Sequence, residues 1–296
     1  MSTKLSDQAV KEIRSDFVYN QLVNDEALIE FVKRNYIGKF EEKTFEENLR
    51  LYSTLPTFKA NENIHEVVKD NLHYPELIDA ENEFINGDSL KPEVHWIMRS
   101  IVQFHLLKAF DAMKIDLTDP NIAINALGKG TPGRIAKMWC GNDPEDTTEL
   151  GSGRWNKEPA LSLFPNESGN RDIITKQVDV VASCSHHFLP FSSFDGGKVT
   201  ISYIPKNHIL GISKLQRFVT WCARRFWLQE DLTAYIGKTI QRIAQTKDVW
   251  VKMEGLVHGC EKFRGANAKD GSLNTEFKDG FFKTGELDND NYIKKG

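Results

Sequence analysis

The chain has 296 residues, 38 Lys and Arg against 42 Asp and Glu, a net charge of −4, and 40% hydrophobic residues. That balance fits one large globular domain, or a domain with an extension, and argues against a globally basic nucleic-acid binder. No apolar run approaches the ~20 residues of a membrane helix, and the charged start MSTKLSDQAVKEIRSDF lacks the apolar centre of a signal peptide, so a cytoplasmic chain with no membrane partner is expected.

The first 90 residues read as charged helices. Val10, Ile13 and Phe17 recur at helical spacing, as do Leu28, Phe31 and Val32 with Tyr36. The pattern weakens over 52–92, where Pro56, Pro75 and Pro92 act as breakers, and a domain boundary is placed near 90. Residues 1–90 are thus expected to form a helical N-terminal extension, and 91–296 the main domain. Ile97, Ile101, Phe104, Leu107 and Phe110 then give one apolar helical face. In TPGRIAKMW, Thr131 suits an N-cap and Pro132 the first helical position. Residues 141–171, rich in Asp, Glu, Asn, Gly and Ser, read as a long loop.

Beyond 172 the pattern changes. IITKQVDVVAS and KVTISYIP read as strands. SKLQRFVTWCARRFW reads as a helix opened by an S-x-x-Q capping box of Ser213 and Gln216. EDLTAYIGKTIQRIAQ places Leu232, Ile236, Ile240 and Ile243 on one helical face. DVWVKMEGLVHGC alternates as a strand, and TEFKDGFF as a last one. Strand, strand, helix, helix, strand, strand is an α+β unit, with helices on one face of an antiparallel sheet.

Four cysteines are too few for a disulfide scaffold. Cys140 and Cys222 lie in apolar helical contexts and read as buried hydrophobes. Cys184 sits in CSHH, and Cys260 in HGC. Thiolate with imidazole suits zinc. Four ligands drawn from Cys184, His187, His258 and Cys260 make a closed structural site. Three leave a position for water, and zinc brings the pKa of such a water to roughly 7. The competing reading leaves these residues as buried thiols and satisfied histidines.

Ser213, Lys214 and Arg217 open a helix, where free N–H groups and the dipole favour anions. Arg264 follows Cys260 by four residues, and Arg134 and Lys137 form an i, i+3 pair. Each alone reads as a surface charge, although Arg is well shaped for bidentate phosphate binding. Gln229 and Glu230 stand at a helix junction, where a carboxylate either caps the helix or accepts from an amidine-like base edge.

CSHHFLPF, SYIP, GISKLQRF, ARRFWLQEDLT and HGCEKFRG, in that order from about 97 to 285, resemble the GTP cyclohydrolase I family, as does TPGRIAKMW upstream. The resemblance implies the tunnelling fold, an antiparallel sheet with two helices, assembled as a homo-oligomer, a toroidal decamer with sites at subunit interfaces. It implies conversion of GTP and water to 7,8-dihydroneopterin triphosphate and formate, in a site using Zn2+. Carried over by motif, Cys184, His187 and Cys260 would bind zinc, and His186 and His258 would move protons. Glu230 beside Gln229 would hold the guanine edge, and Ser213, Lys214, Arg217 and Arg264 the triphosphate. Arg134 would reach a neighbouring subunit's site. The family usually has Glu where this chain has Ser185. That change keeps two alternatives open: a cyclohydrolase for another purine nucleotide, and a catalytically silent zinc- and nucleotide-binding oligomer.

Overall fold

The computed structural model describes residues 7–55, 90–122, 130–154, 156, 158–263 and 271–286. These fall into two compact units, meeting in the chain at Trp155 and Asn156. The helix that begins at Pro92 packs on the N-terminal helices, within the first unit. Pro56 and Pro75 lie outside the described residues.

The first unit is helical: α1 (Asp7–Asn24), α2 (Glu26–Ile37), α3 (Phe45–Thr54), α4 (Pro92–Ala112) and α5 (Thr131–Cys140). Asp25 caps α2 by accepting from the Leu28 amide. Pro92 starts α4 in place of breaking it, since the first helical turn needs no amide donor there. The expected face of α4 is buried at Ile97, Ile101, Phe104 and Phe110, where the first three join Leu28, Val32, Tyr36 and Leu49 in one core. Val94 and Met98 form a second face against Leu90 and Cys140. The N-cap of α5 is Gly130, one residue before the expected Thr131. The expected loop of 141–171 is partly ordered: Asp143 and Asp146 hold local turns by accepting amide hydrogens, and Leu163–Pro165 pairs as a strand.

The second unit is α+β. Its strands are β1 (Leu163–Pro165), β2 (Ile174–Val178), β3 (Val181–Cys184), β4 (Pro190–Ser192), β5 (Lys198–Tyr203), β6 (His208–Leu210), β7 (Phe226–Trp227), β8 (Val249–His258) and β9 (Leu273–Lys278). The larger sheet runs β2-β5-β8-β4-β3-β7, with β9 also on β8, and β1 pairs with β6 separately. Pairing is antiparallel except between β3 and β7. The single strand expected over IITKQVDVVAS is two, β2 and β3. The strand expected over TEFKDGFF ends at Lys278, and Phe281–Thr284 turns helical.

Two longer helices cover this sheet: α6 (Ile212–Ala223) lies against β2 and β3, and α7 (Gln229–Ala244) against β8 and β9. Leu215, Phe218, Val219 and Cys222 of α6, and Leu232, Ile236 and Ile240 of α7, are fully buried with Val199, Ile201, Val251 and Met253. At roughly 1.5–3 kcal/mol per large apolar side chain, this interface dominates the unit's stability. No capping box forms on α6. Its N-cap is Gly211, and the Gln216 amide instead accepts from Asp179 N at 2.8 Å and donates to Asp179 O at 2.9 Å. Gln216 thereby ties α6 to the turn between β2 and β3. Among the described residues, no helix is long and apolar enough to cross a membrane.

Candidate metal centre and its surroundings

Cys184 ends β3, and Cys260 lies just past the end of β8, in the short helix α8 (Gly259–Lys262). The pairing of β4 with β8, Phe191 opposite His258, brings the two ends together. Gly259 sits close under the neighbouring strand at this crossing: a Cβ there would stand 3.0 Å from the Pro190 carbonyl oxygen, a tight contact. Ligand atoms of Cys184, His258 and Cys260 all lie within 4.8 Å of one another. Tetrahedral zinc with Zn–S near 2.3 Å sets its ligand atoms about 3.5–3.8 Å apart, so a small contraction would complete such a site. Two thiols and an imidazole are also the right donors for a borderline-soft ion. Burial pushes the Cys260 thiol up, and Cys184 beside it, by charge and by a hydrogen bond between the sulfurs, pushes it further. A divalent cation would reverse that preference and stabilise both thiolates.

His258 is half-buried and lies flat on Phe191, ring centroids 4.6 Å apart and 7° from parallel. Its Nε2 is 2.8 Å from Gln229 Oε1. Burial holds its pKa below the ordinary histidine value, opposed by Glu230 and Glu261.

His186 and His187 sit in the turn between β3 and β4, both exposed, rings 6.2 Å apart and nearly perpendicular. The turn is tight: Phe188 N donates to Cys184 O at 2.8 Å, and Phe188 has φ of 54°, a left-handed value unusual for an aromatic residue. The structure therefore groups His258, and not His187, with the two cysteines. Ser185 is half-buried, its amide bonded to Trp227 O.

The other expected site residues are placed unequally. Ser213 and Arg217 are exposed and Lys214 half-buried in the first turns of α6. Glu230 is exposed in the first turn of α7. Gln229 is only 1% exposed, and its amide is bonded to the Leu273 carbonyl, the Thr275 hydroxyl and His258 Nε2. Arg134 belongs to α5 in the first unit, and Arg264 lies outside the described residues. Sequence reasoning missed Phe191, Thr233 and Thr275. Phe191 stacks on His258, and the two threonines bond to each other beneath Gln229. Phe191 stands inside CSHHFLPF and was the nearest to being found. The threonines carry no local signal.

A family model described as GTP cyclohydrolase I matches residues 111–295. The chain belongs to the GTP cyclohydrolase I family. A protein named GTP cyclohydrolase 1 from Shewanella sp. (strain ANA-3) is 32% identical over 185 residues, covering 62% of this chain and 77% of that one. A second of that name, from Yersinia pestis bv. Antiqua (strain Angola), is 30% identical over 207 residues, covering 69% of this chain and 86% of its own. The family is one of enzymes, and the match takes in every expected site residue. It begins at 111, so α1, α2 and α3 fall before it.

Proposed function

We propose that this chain is a zinc-dependent GTP cyclohydrolase I that converts GTP and water to 7,8-dihydroneopterin triphosphate and formate. The observation that carries the reading is the convergence of Cys184, His258 and Cys260 within 4.8 Å in a chain of this family. Zinc, when bound, would supply a Lewis acid and a water ionised near neutral pH.

Cys184 and Cys260 would hold the ion. His187, three residues past Cys184 in the exposed turn, would be the third ligand after a rotation of its side chain. His258, half-buried and stacked on Phe191, would transfer protons when C8 is attacked and the imidazole ring opens. His186 would be the second acid/base group. Glu230, exposed beside the site, would accept hydrogen bonds from the guanine edge. Ser213, Lys214 and Arg217 at the start of α6 would bind the triphosphate with Arg264, and Arg134 would serve a neighbouring subunit. This assigns residues 91–296 to a catalytic domain of tunnelling fold, working in the cytoplasm as a homo-oligomer of ten, with residues 1–90 as an extension.

One observation favours a variant of this reading: His258, not His187, completes the Cys-His-Cys group, so His258 is the competing third ligand. Ser185 motivates a second variant, a different purine nucleotide as substrate.

The test is turnover of the zinc-loaded protein with GTP, dGTP, ATP and ITP, following formate and the fluorescence of the oxidised pterin together. Formate and pterin from GTP are expected. Turnover of another nucleotide alone would move the substrate, and no turnover of any by a zinc-loaded, assembled protein would leave a silent binding protein.

A further inference from the structure

We infer that Gln229 is a positioning residue that fixes the tautomer of His258, holding the proton on Nε2 and leaving Nδ1 as the nitrogen with an open lone pair. The inference rests on hydrogen-bond bookkeeping, and on the proposed reaction only for its kinetic consequence.

The count starts at Thr233, whose hydroxyl donates to the Gln229 backbone carbonyl at 2.7 Å. Having spent its one proton, Thr233 Oγ1 is the acceptor in its 2.7 Å contact with Thr275 Oγ1. Thr275 has then spent its proton as well, so its oxygen accepts from Gln229 Nε2 at 3.0 Å. The second hydrogen of that nitrogen goes to the Leu273 carbonyl at 3.1 Å, which only accepts. Both amide hydrogens are used, and the amide has one orientation, with Oε1 on His258. An amide oxygen only accepts, so the His258 Nε2 that meets it at 2.8 Å must carry hydrogen. Flipping the amide would set its carbonyl oxygen against the Leu273 carbonyl oxygen, two acceptors with no hydrogen between them, and would ask the single Thr275 proton to serve both Gln229 and Thr233; only the contact with His258 Nε2 would re-form, with the opposite tautomer. Gln229 is 1% exposed, so water is not there to repair such losses.

The consequence is local and specific. A histidine whose Nε2 is permanently a donor presents only Nδ1 to a ligand, a water or a departing nitrogen. Tautomer control by an outer partner is a recognised lever on imidazole chemistry. Here the partner is a buried neutral amide oriented by β9, in place of a carboxylate.

The test labels histidine with a nitrogen isotope in the metal-free full-length protein and reads the two ring nitrogens by solid-state NMR, which tolerates any assembly size. The His258 signals are assigned by their loss in His258→Gln. The wild type should show a protonated Nε2 and a bare Nδ1. Gln229→Met, which keeps length and removes every polar atom, should give mixed tautomers, and kcat for GTP should fall on the order of ten- to a hundred-fold with KM changed less than about two-fold. Thr275→Val, which leaves Gln229 in place and frees one amide hydrogen, should shift the spectrum in the same direction, and Thr275→Ser should restore it. Wild-type ring signals in both Gln229→Met and Thr275→Val overturn the inference. So does a rise in KM at unchanged kcat, which would return Gln229 to the substrate edge. The spectrum is read without substrate, so failure of the wild type to turn over GTP would count against the proposed reaction and leave the tautomer assignment to the NMR.

Discussion

Two histidines stand near one pair of thiols, and what holds each of them differs. His258 is fixed by a strand end, a stacked ring and the Gln229 bond, and lies within 4.8 Å of both cysteine ligand atoms. His187 sits on an exposed turn of three residues, Ser185 to His187, between Cys184 and the left-handed Phe188. A group that transfers protons beside a metal must also lie within a few ångströms of the ligands, so nearness alone does not make His258 a ligand. Zinc stoichiometry separates the roles. Cys260→Ala and His187→Ala should both lose zinc. His258→Ala should keep close to one zinc per chain while turnover falls on the order of a hundred- to ten-thousand-fold, as for loss of a general acid or base. The reverse pattern, zinc lost in His258→Ala and kept in His187→Ala, would make His258 the third ligand.

At the scale of elements, the contact between α7 and β9 repeats. Gln229, Thr233, Gly237 and Gln241 follow one another every fourth residue along α7 and meet Leu273, Thr275, Phe277 and Asp279, every second residue of the β9 segment. Four helical residues rise about 6.0 Å and two strand residues about 6.7 Å, so the two rows stay in step for three turns. Polar pairs fill three of the positions, and the fourth is steric. A Cβ on Gly237 would come within 2.1 Å of Phe277 Cδ1, and three atoms of that ring would lie under 3.0 Å. Ala is worth about 1 kcal/mol over Gly in a helix, whereas overpacking against a ring anchored in a paired strand costs roughly 1–3 kcal/mol. Gly237→Ala should therefore lower the melting temperature, and Thr275, two residues from Phe277 on the same face, should be displaced from Gln229 with it. A melting temperature at or above wild type would show that β9 yields freely. None of this zipper was legible in the sequence, because its partners lie 38 to 46 residues apart. The long periodic elements were legible: β8 buries alternate residues over its first half, and α7 buries Leu232, Ile236 and Ile240, three of the four positions that its spacing marked, with Ile243 half-buried. Strands of two or three residues, such as β1, β4, β6 and β7, are too short for any period to show.

For the molecule as a whole, the cysteines divided as their neighbours suggested: Cys140 and Cys222 are buried in helical packing, while Cys184 and Cys260 face each other. A helix cannot announce which neighbours will cover its second face: Val94 and Met98 of α4 meet Leu90 and Cys140. The first unit also carries a charge-sensitive joint that the sequence did not mark. His95 of α4 is 1% exposed, and its Nε2 donates to the Cys140 carbonyl at 2.8 Å, satisfying one of the free acceptors that end α5. Burial lowers its pKa to about 4, well beyond what the hydrogen bond and Asp143 restore. The folded unit thus keeps His95 neutral while the unfolded chain takes up a proton near pH 6.5. Stability contributed by the neutral form is complete above pH 6.5, declines as pH falls, and levels off below the folded pKa of about 4. A shift of that size corresponds to roughly 3 kcal/mol across the window. His95→Gln keeps an N–H donor toward Cys140 and cannot be protonated. Its melting temperature should start at or below that of the wild type at pH 7.5 and fall more shallowly between pH 6.5 and 5, where most carboxylates of the chain are still ionised. Parallel slopes for the two proteins across that interval would show that another group governs the acid sensitivity of this unit.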